Sequence, residues 1–166
     1  MQIWEYSSAG MALTKSFEGL RLESYQDSAG RWTIGYGHAG PEVRPGQRID
    51  AAQAEELLRG DLAAAVECIR HAVRVEVSQS QFDALVDFCF NVGRGSLLES
   101  TLLMHVNRGE FASAAEQFPL WAHAGGKLVP GLLRRRTAEA QMFLGRNLQP
   151  SLSAQVRPNV SVKFLS

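Results

Sequence analysis

Glu18, Asp27 and Thr33 fall within one short stretch, Glu18 to His38, and together they are a set of groups that could cleave a glycosidic bond. That reaction needs a carboxylic acid to protonate the leaving oxygen and a second, ionised carboxylate to activate water or attack the sugar carbon. The two must sit in environments that separate their pKa values. Glu18 lies at the carboxyl end of an expected helix, where the negative end of the dipole and burial in a cleft both favour the protonated form, so it is the general-acid candidate. Asp27 lies in a turn open to solvent, where a carboxylate stays ionised, and is the base candidate. Thr33, on the strand that follows, can accept and donate hydrogen bonds and so hold a water against Asp27, which would complete an inverting site. Singly, the three have ordinary uses as a surface charge, a turn former and a strand former; the conjunction is what points to chemistry.

The elements that must position these groups are legible from periodicity. Ser7 or Ser8 can cap a first helix in which Leu13, Phe17 and Leu20 recur at helical spacing, with Gly19 at its end. Asp27-Ser28-Ala29-Gly30 supplies turn chemistry, and the alternation of Trp32, Ile34 and Tyr36 with Thr33, Gly35 and Gly37 predicts a strand, so residues 22–50 read as a small β-lobe. Asp50 and Gln53 have capping-box spacing ahead of a long stripe of Leu58, Leu62, Ala65, Val66, Ile69 and Val73, a helix over residues 51–74 that can link two lobes. Ser78 and Gln81 repeat that pattern before Phe82, Leu85, Val86, Cys89 and Phe90, with Gly93 expected to end the helix in the left-handed region. Leu97 to Val106, Glu110 to Trp121 and Gly131 to Leu144 read as three further helices, the last ended by Gly145, so residues 75–146 form a helical lobe. From Asn147 to Ser166 the pattern lapses into a tail whose Val160 to Leu165 segment is a short strand or extended chain. The expected architecture is a single α+β domain over residues 1–166.

Composition narrows the function classes. With 166 residues and 45% hydrophobic composition, the chain can bury its own core. Seventeen Lys+Arg balance seventeen Asp+Glu, so no overall field draws it to nucleic acid. No stretch approaches the roughly 18 apolar residues of a membrane span, and Met1 to Ser8 lacks the basic flank and apolar run of a secretion signal. Cys68 and Cys89 lack CxxC or Cys/His ligand spacing and read as reduced core thiols; His71, His105 and His123 are scattered, so neither a metal nor a cofactor is expected.

Glu18-Gly19, Tyr25-Gln26-Asp27 and Gly30-Arg31-Trp32-Thr33-Ile34-Gly35-Tyr36-Gly37-His38 together closely resemble the signature of the phage-type lysozyme family, glycoside hydrolase family 24, which runs Glu-Gly, Tyr-x-Asp, Gly-x-x-Thr-Ile-Gly-x-Gly-His. The segments Phe82 to Gly93, Ser100 to Leu103 and Gly126 to Arg136 are similar to its lambdoid-phage branch, so the resemblance covers about residues 8 to 145. It implies a lysozyme-like fold, with a small N-terminal β-hairpin lobe and a larger helical C-terminal lobe joined by a long helix around a cleft. It further implies an endolysin muramidase that hydrolyses the β-1,4 bond between N-acetylmuramic acid and N-acetylglucosamine, with Glu18 as acid, Asp27 as base and Thr33 as its water-positioning partner.

The same resemblance places Phe90, Asn91 and Thr101 near the cleft as substrate-binding residues, although Phe90 reads equally as core and Thr101 as a helix cap. One of Arg134, Arg135 and Arg136, with Arg135 chosen, is expected to face Glu18 or the saccharide carboxylates. His38 reads as a structural hydrogen-bond partner. The expected partner is the peptidoglycan glycan strand, met by a monomer without nucleic acid or stable membrane association. The protein would accumulate in the host cytoplasm and reach the wall through a separate holin-type pore. A lytic transglycosylase, which needs one acid/base group, and a wall-binding module without chemistry are the rivals; the full Glu18, Asp27 and Thr33 set argues against both.

Overall fold

A computed structural model describes residues 4–146; the tail read above from Asn147 onward lies outside the described residues. Helix α1, Ser8–Glu18, starts where the Ser7 hydroxyl accepts from the Gly10 N–H. The chain then forms an antiparallel hairpin of β1, Arg21–Gln26, and β2, Trp32–Gly35. An irregularity between Arg21 and Tyr25 shifts the register, so that Tyr25 opposes Thr33. Residues 47–49 add hydrogen bonds along β1, from the Ser24 N–H to Gln47 O and from the Ile49 N–H to Leu22 O. Gly35 sits at φ 67°, and a Cβ there would stand 3.4 Å from the Ala54 Cβ, so glycine lets β2 lie directly on the following helix.

That helix, α2, spans Ala51–Ala72 and opens with the full capping box of Asp50 and Gln53. Its Leu58, Leu62, Ala65 and Ile69 face the core, as the periodicity predicts, together with Ala54, while Val66 is only half-buried and Val73 is the C-cap, beyond the helix. Helix α3, Gln79–Val92, opens with the second capping box, Ser78 and Gln81. Its middle is buried, with Phe82 to Cys89 all inside. It packs against α1, α2 and α7 (Pro130–Phe143), and so forms the axis of the helical region. Phe88 anchors the centre by meeting Phe118 and Trp121 edge-on, each at 5.4 Å between ring centroids.

Several boundaries differ from the sequence reading. Leu20 lies beyond α1 and is 41% exposed, so it does not share the buried face of Leu13. Gly93 has φ 92° with ψ 152°, an extended conformation of positive φ and not the left-handed helical one, and it leads straight into α4, Arg94–Leu98. The expected helix over 97–106 is broken at Glu99 and Ser100. The buried Ser100 hydroxyl accepts from the Leu103 N–H and donates to Leu97 O, which starts α5, Thr101–Asn107. Ser100, not Thr101, is thus the cap. The expected helix over 110–121 is α6, Phe111–Gln117, followed by a 3₁₀ turn, Phe118–Trp121, where Pro119 favours the tighter winding. A second small hairpin, β3 (His123–Ala124) and β4 (Lys127–Leu128), turns on Gly125 and Gly126, both at positive φ.

Candidate active site

Glu18 is the last residue of α1, and Gly19 behind it takes φ 69° and ψ 162°, a conformation that side chains disfavour. The chain can therefore reverse into β1 immediately, and the carboxyl is left at the join, 23% exposed. Its Oε1 accepts from Arg135 Nη1 at 2.5 Å. Arg135, on α7, is itself 5% exposed, and its other edge donates through Nε and Nη2 to the two oxygens of Asp87, each at 2.9 Å. This planar, two-bond pairing fixes the guanidinium as well as compensating it. The Thr14 hydroxyl donates to Asp87 Oδ1 at 2.7 Å, and the Tyr6 hydroxyl lies 2.7 Å from both Thr14 Oγ1 and Gly10 O. Three helices and the segment before α1 thus converge on one buried carboxylate that holds the arginine at Glu18.

Burial works against the charge on Asp87, but the hydrogen bonds from Arg135 hold its carboxyl below the usual range. Glu139, one turn beyond Arg135 and fully buried, goes the other way: burial first, and then the adjoining Asp87 carboxylate, by hydrogen bonding and by its charge, push it well above the usual range. Of this pair Asp87 carries the negative charge and Glu139 the proton.

Asp27 opens the turn between β1 and β2. Its Oδ1 accepts from the backbone N–H groups of Ala29 at 2.8 Å and Arg31 at 2.9 Å, and its Oδ2 accepts from Arg31 Nε at 2.9 Å. The Arg31 backbone contact, joined by the Arg31 side chain and the Ala29 amide, lowers the Asp27 pKa despite some desolvation. The carboxylate is ionised and fixed. Thr33 is nearly fully buried on β2, with its hydroxyl donating to Arg31 O at 3.2 Å, so it is tied to the same turn.

His38 joins this region to α2. Its Nδ1 lies 2.9 Å from Asp61 Oδ1 and its Nε2 lies 2.5 Å from Glu42 Oε1. Only an imidazolium can donate at both nitrogens. Burial opposes the charge, yet the two carboxylates raise the His38 pKa overall. The role is structural, as the sequence suggested.

The remaining sequence candidates separate. Arg135 is committed to Glu18 and Asp87, so it belongs to the surroundings of the acid candidate. Phe90 is half-buried and packs on the core cluster. The Asn91 side chain is exposed in the last turn of α3, and its Oδ1 accepts from Arg136 Nη2 at 2.6 Å. The Thr101 hydroxyl donates to Gln117 at 2.6 Å, which ties α5 to α6 and involves none of the Glu18 network. Sequence reasoning passed over Asp87, Thr14 and Glu139. A signal was present: Asp83 and Asp87 occur at buried-phase positions of an otherwise apolar helix, and a charge there requires a partner.

The long inter-lobe helix, the hairpin and the helical region around α3 define a lysozyme-like α+β fold. This chain belongs to the phage lysozyme family, whose model matches residues 15–139. It is 44% identical over 165 residues to the endolysin of Bacillus phage PZA, covering 96% of this chain and 64% of that protein. Its structure is similar to the muramidase domain of SpmX from Asticaccaulis excentricus, with 42% identity, a TM-score of 0.78, and 84% of this chain and 97% of that domain covered. It is likewise similar to a variant of P22 lysozyme, of Salmonella phage P22, with 39% identity, a TM-score of 0.78, and 87% and 99% covered. The chain spans 64% of the length of the PZA endolysin and 53% of that of Bacillus phage B103.

Proposed function

We propose that this chain is a cofactor-independent muramidase that hydrolyses the β-1,4 bond between N-acetylmuramic acid and N-acetylglucosamine in peptidoglycan, with inversion, and so lyses a bacterial host. Its described residues act as one lysozyme unit, the hairpin region and the helical region being its two lobes. The observation that carries the reading is the pairing of two carboxylates, each anchored separately, at the helix end and in the turn that follows it. Glu18 is half-buried and held from one side by an arginine that Asp87 already neutralises; Asp27 is kept ionised by the amides and guanidinium of its own turn. Glu18 donates its proton to the leaving oxygen. Asp27 and the Thr33 hydroxyl orient the attacking water, and Asp27 takes up the proton that water releases.

Membership of the phage lysozyme family and the likeness to endolysins support the substrate class. Among the described residues no helix is long and apolar enough to cross a membrane, and delivery to the wall through a separate holin-type pore is part of the proposal. The test is digestion of purified peptidoglycan, with NMR of the first product and mass analysis of the fragments. The α-anomer at a new reducing end is expected. A β-anomer would make Asp27 a nucleophile, and an anhydro-sugar would make the protein a transglycosylase.

A further inference from the structure

The Arg21 guanidinium is held over a ring, 4.4 Å from the centre of Tyr25. Arg21 opens β1 three residues after Glu18, and Tyr25 stands two residues before Asp27, so the stacked pair runs along the strand that joins the acid candidate to the base candidate. Tyr25 lies directly opposite Thr33 in the ladder. Opposed residues of an antiparallel pair put their side chains on the same face, so the ring and the guanidinium over it lie on the Thr33 face of the hairpin. Glu23, the acidic residue of β1, is taken by Arg48 at 2.8 Å, and Asp27 by Arg31 at 2.9 Å. Arg21 is exposed, and among the described residues no carboxylate pairs with it. An aromatic face attracts a guanidinium without supplying an acceptor at its edge, so the N–H donors stay available to a carboxylate, which they match bidentately.

We propose that Arg21, held over Tyr25, binds a carboxylate on the side chain of the N-acetylmuramic acid ring and so distinguishes that ring from N-acetylglucosamine. The proposal rests on the muramidase reading above. The two rings alternate along the strand and share the 2-acetamido group. They differ at the 3-O-lactyl group of muramic acid, which ends in its own carboxylate or continues into a stem peptide that carries further ones. Contacts to the shared atoms cannot tell the rings apart, whereas a cation beside the site favours the ring that brings an anion. Arg135, the sequence candidate for meeting a saccharide carboxylate, has both edges of its guanidinium filled by Glu18 and Asp87 and cannot take this part. Arg21 has its donors free, and the ring beneath it removes much of the freedom that binding would otherwise have to restrict.

The test measures turnover of soluble peptidoglycan strands by the full chain. The strands are used peptide-free, with the lactyl carboxylate exposed, and peptide-bearing, each also with its carboxylates converted to neutral methylamides. Arg21→Gln is expected to raise KM roughly tenfold on the charged strands, the cost of one charge-assisted contact, with kcat down by less than about threefold. On the methylamide strands it should leave KM where the wild type has it. The melting temperature should stay near wild type, since the side chain is exposed. Arg21→Lys, which keeps the charge but not the planar fork, should recover part of the loss, and Tyr25→Leu, which releases the guanidinium, should reproduce part of it. An effect on the peptide-free strands assigns the lactyl carboxylate, and one confined to the peptide-bearing strands assigns a carboxylate of the stem. An equal rise in KM on charged and methylamide strands, or no rise on either charged form, overturns the proposal while hydrolysis of the strands upholds the muramidase reading. If the wild-type chain cleaves no form of the strands, the muramidase reading is overturned and the proposal with it.

Discussion

Arg135 reaches Glu18 with one nitrogen at 2.5 Å while the other edge of the same guanidinium is clamped by Asp87, so the acid candidate is positioned by a group that cannot rotate away. The first expectation follows from that geometry. Glu18→Gln retains an oxygen to accept from Arg135 and loses only the proton, so the fold should be kept and the melting temperature should stay near wild type. Activity should fall by at least the roughly 10²–10⁴-fold typical of a positioned general acid. Turbidity loss of permeabilised cells measures it, and lysis within about threefold of wild type, small beside that range, would remove Glu18 from the mechanism.

Asp87 should matter more for stability than for chemistry. Removing one member of a buried ion pair leaves the other uncompensated, a loss of about 3–5 kcal/mol. Asp87→Ala strips Arg135 of two hydrogen bonds and Thr14 of its acceptor. Chemical denaturation should register a loss of this size. A loss below ~1 kcal/mol, the range of an exposed pair, would mean that Glu139 has ionised to take over the role of Asp87. In the wild type, the folded pKa of Asp87 lies below its unfolded value, so its contribution is present above the unfolded pKa near ~3.9 and is lost as pH falls through the folded one.

His38 carries the opposite sign. Its folded pKa is raised, so its stabilisation is fully present below an unfolded value near ~6.5 and is lost as pH rises through the folded pKa. The wild type should therefore lose melting temperature from slightly acidic to alkaline pH relative to His38→Gln, which does not titrate. Parallel pH profiles for the two proteins would show that His38 is not the imidazolium between Asp61 and Glu42.

The two capping boxes at Asp50 and Ser78 were legible in sequence because their signal is local: a side chain and a backbone amide three residues apart. The placement of Glu18 at a helix end, of Asp27 in a turn and of Thr33 on a strand was legible for the same reason, since one helix end and one turn hold all three. What was missed depends on distance along the chain. Thr14 and Asp87 meet Arg135, which the sequence reading did set against Glu18, only because α1, α3 and α7 pack together, and an apolar count along α3 passes over Asp87. The break at Ser100 was hidden by apolar periodicity on both sides. Gly125-Gly126 carried a hairpin signal of its own, but the two-residue strands flanking it are too short to show alternation.

Thr33 separates a structural from a catalytic use of one side chain. Its buried β-branch would be reproduced by valine, and the carbonyl that its hydroxyl contacts, Arg31 O, also accepts from the Asp27 N–H at 2.9 Å, so Thr33→Val leaves no buried acceptor bare. The melting temperature should therefore hold or rise slightly. If the hydroxyl orients the attacking water beside Asp27, its loss mispositions the nucleophile, which can cost on the order of 10²-fold in rate. Measured side by side, thermal unfolding and turnover should part company, with stability unchanged and turnover down tenfold or more, a conservative share of that ~10²-fold limit. Turnover near wild type in a folded Thr33→Val protein would leave Asp27 alone to hold the water and make Thr33 a strand former whose hydroxyl serves only its turn.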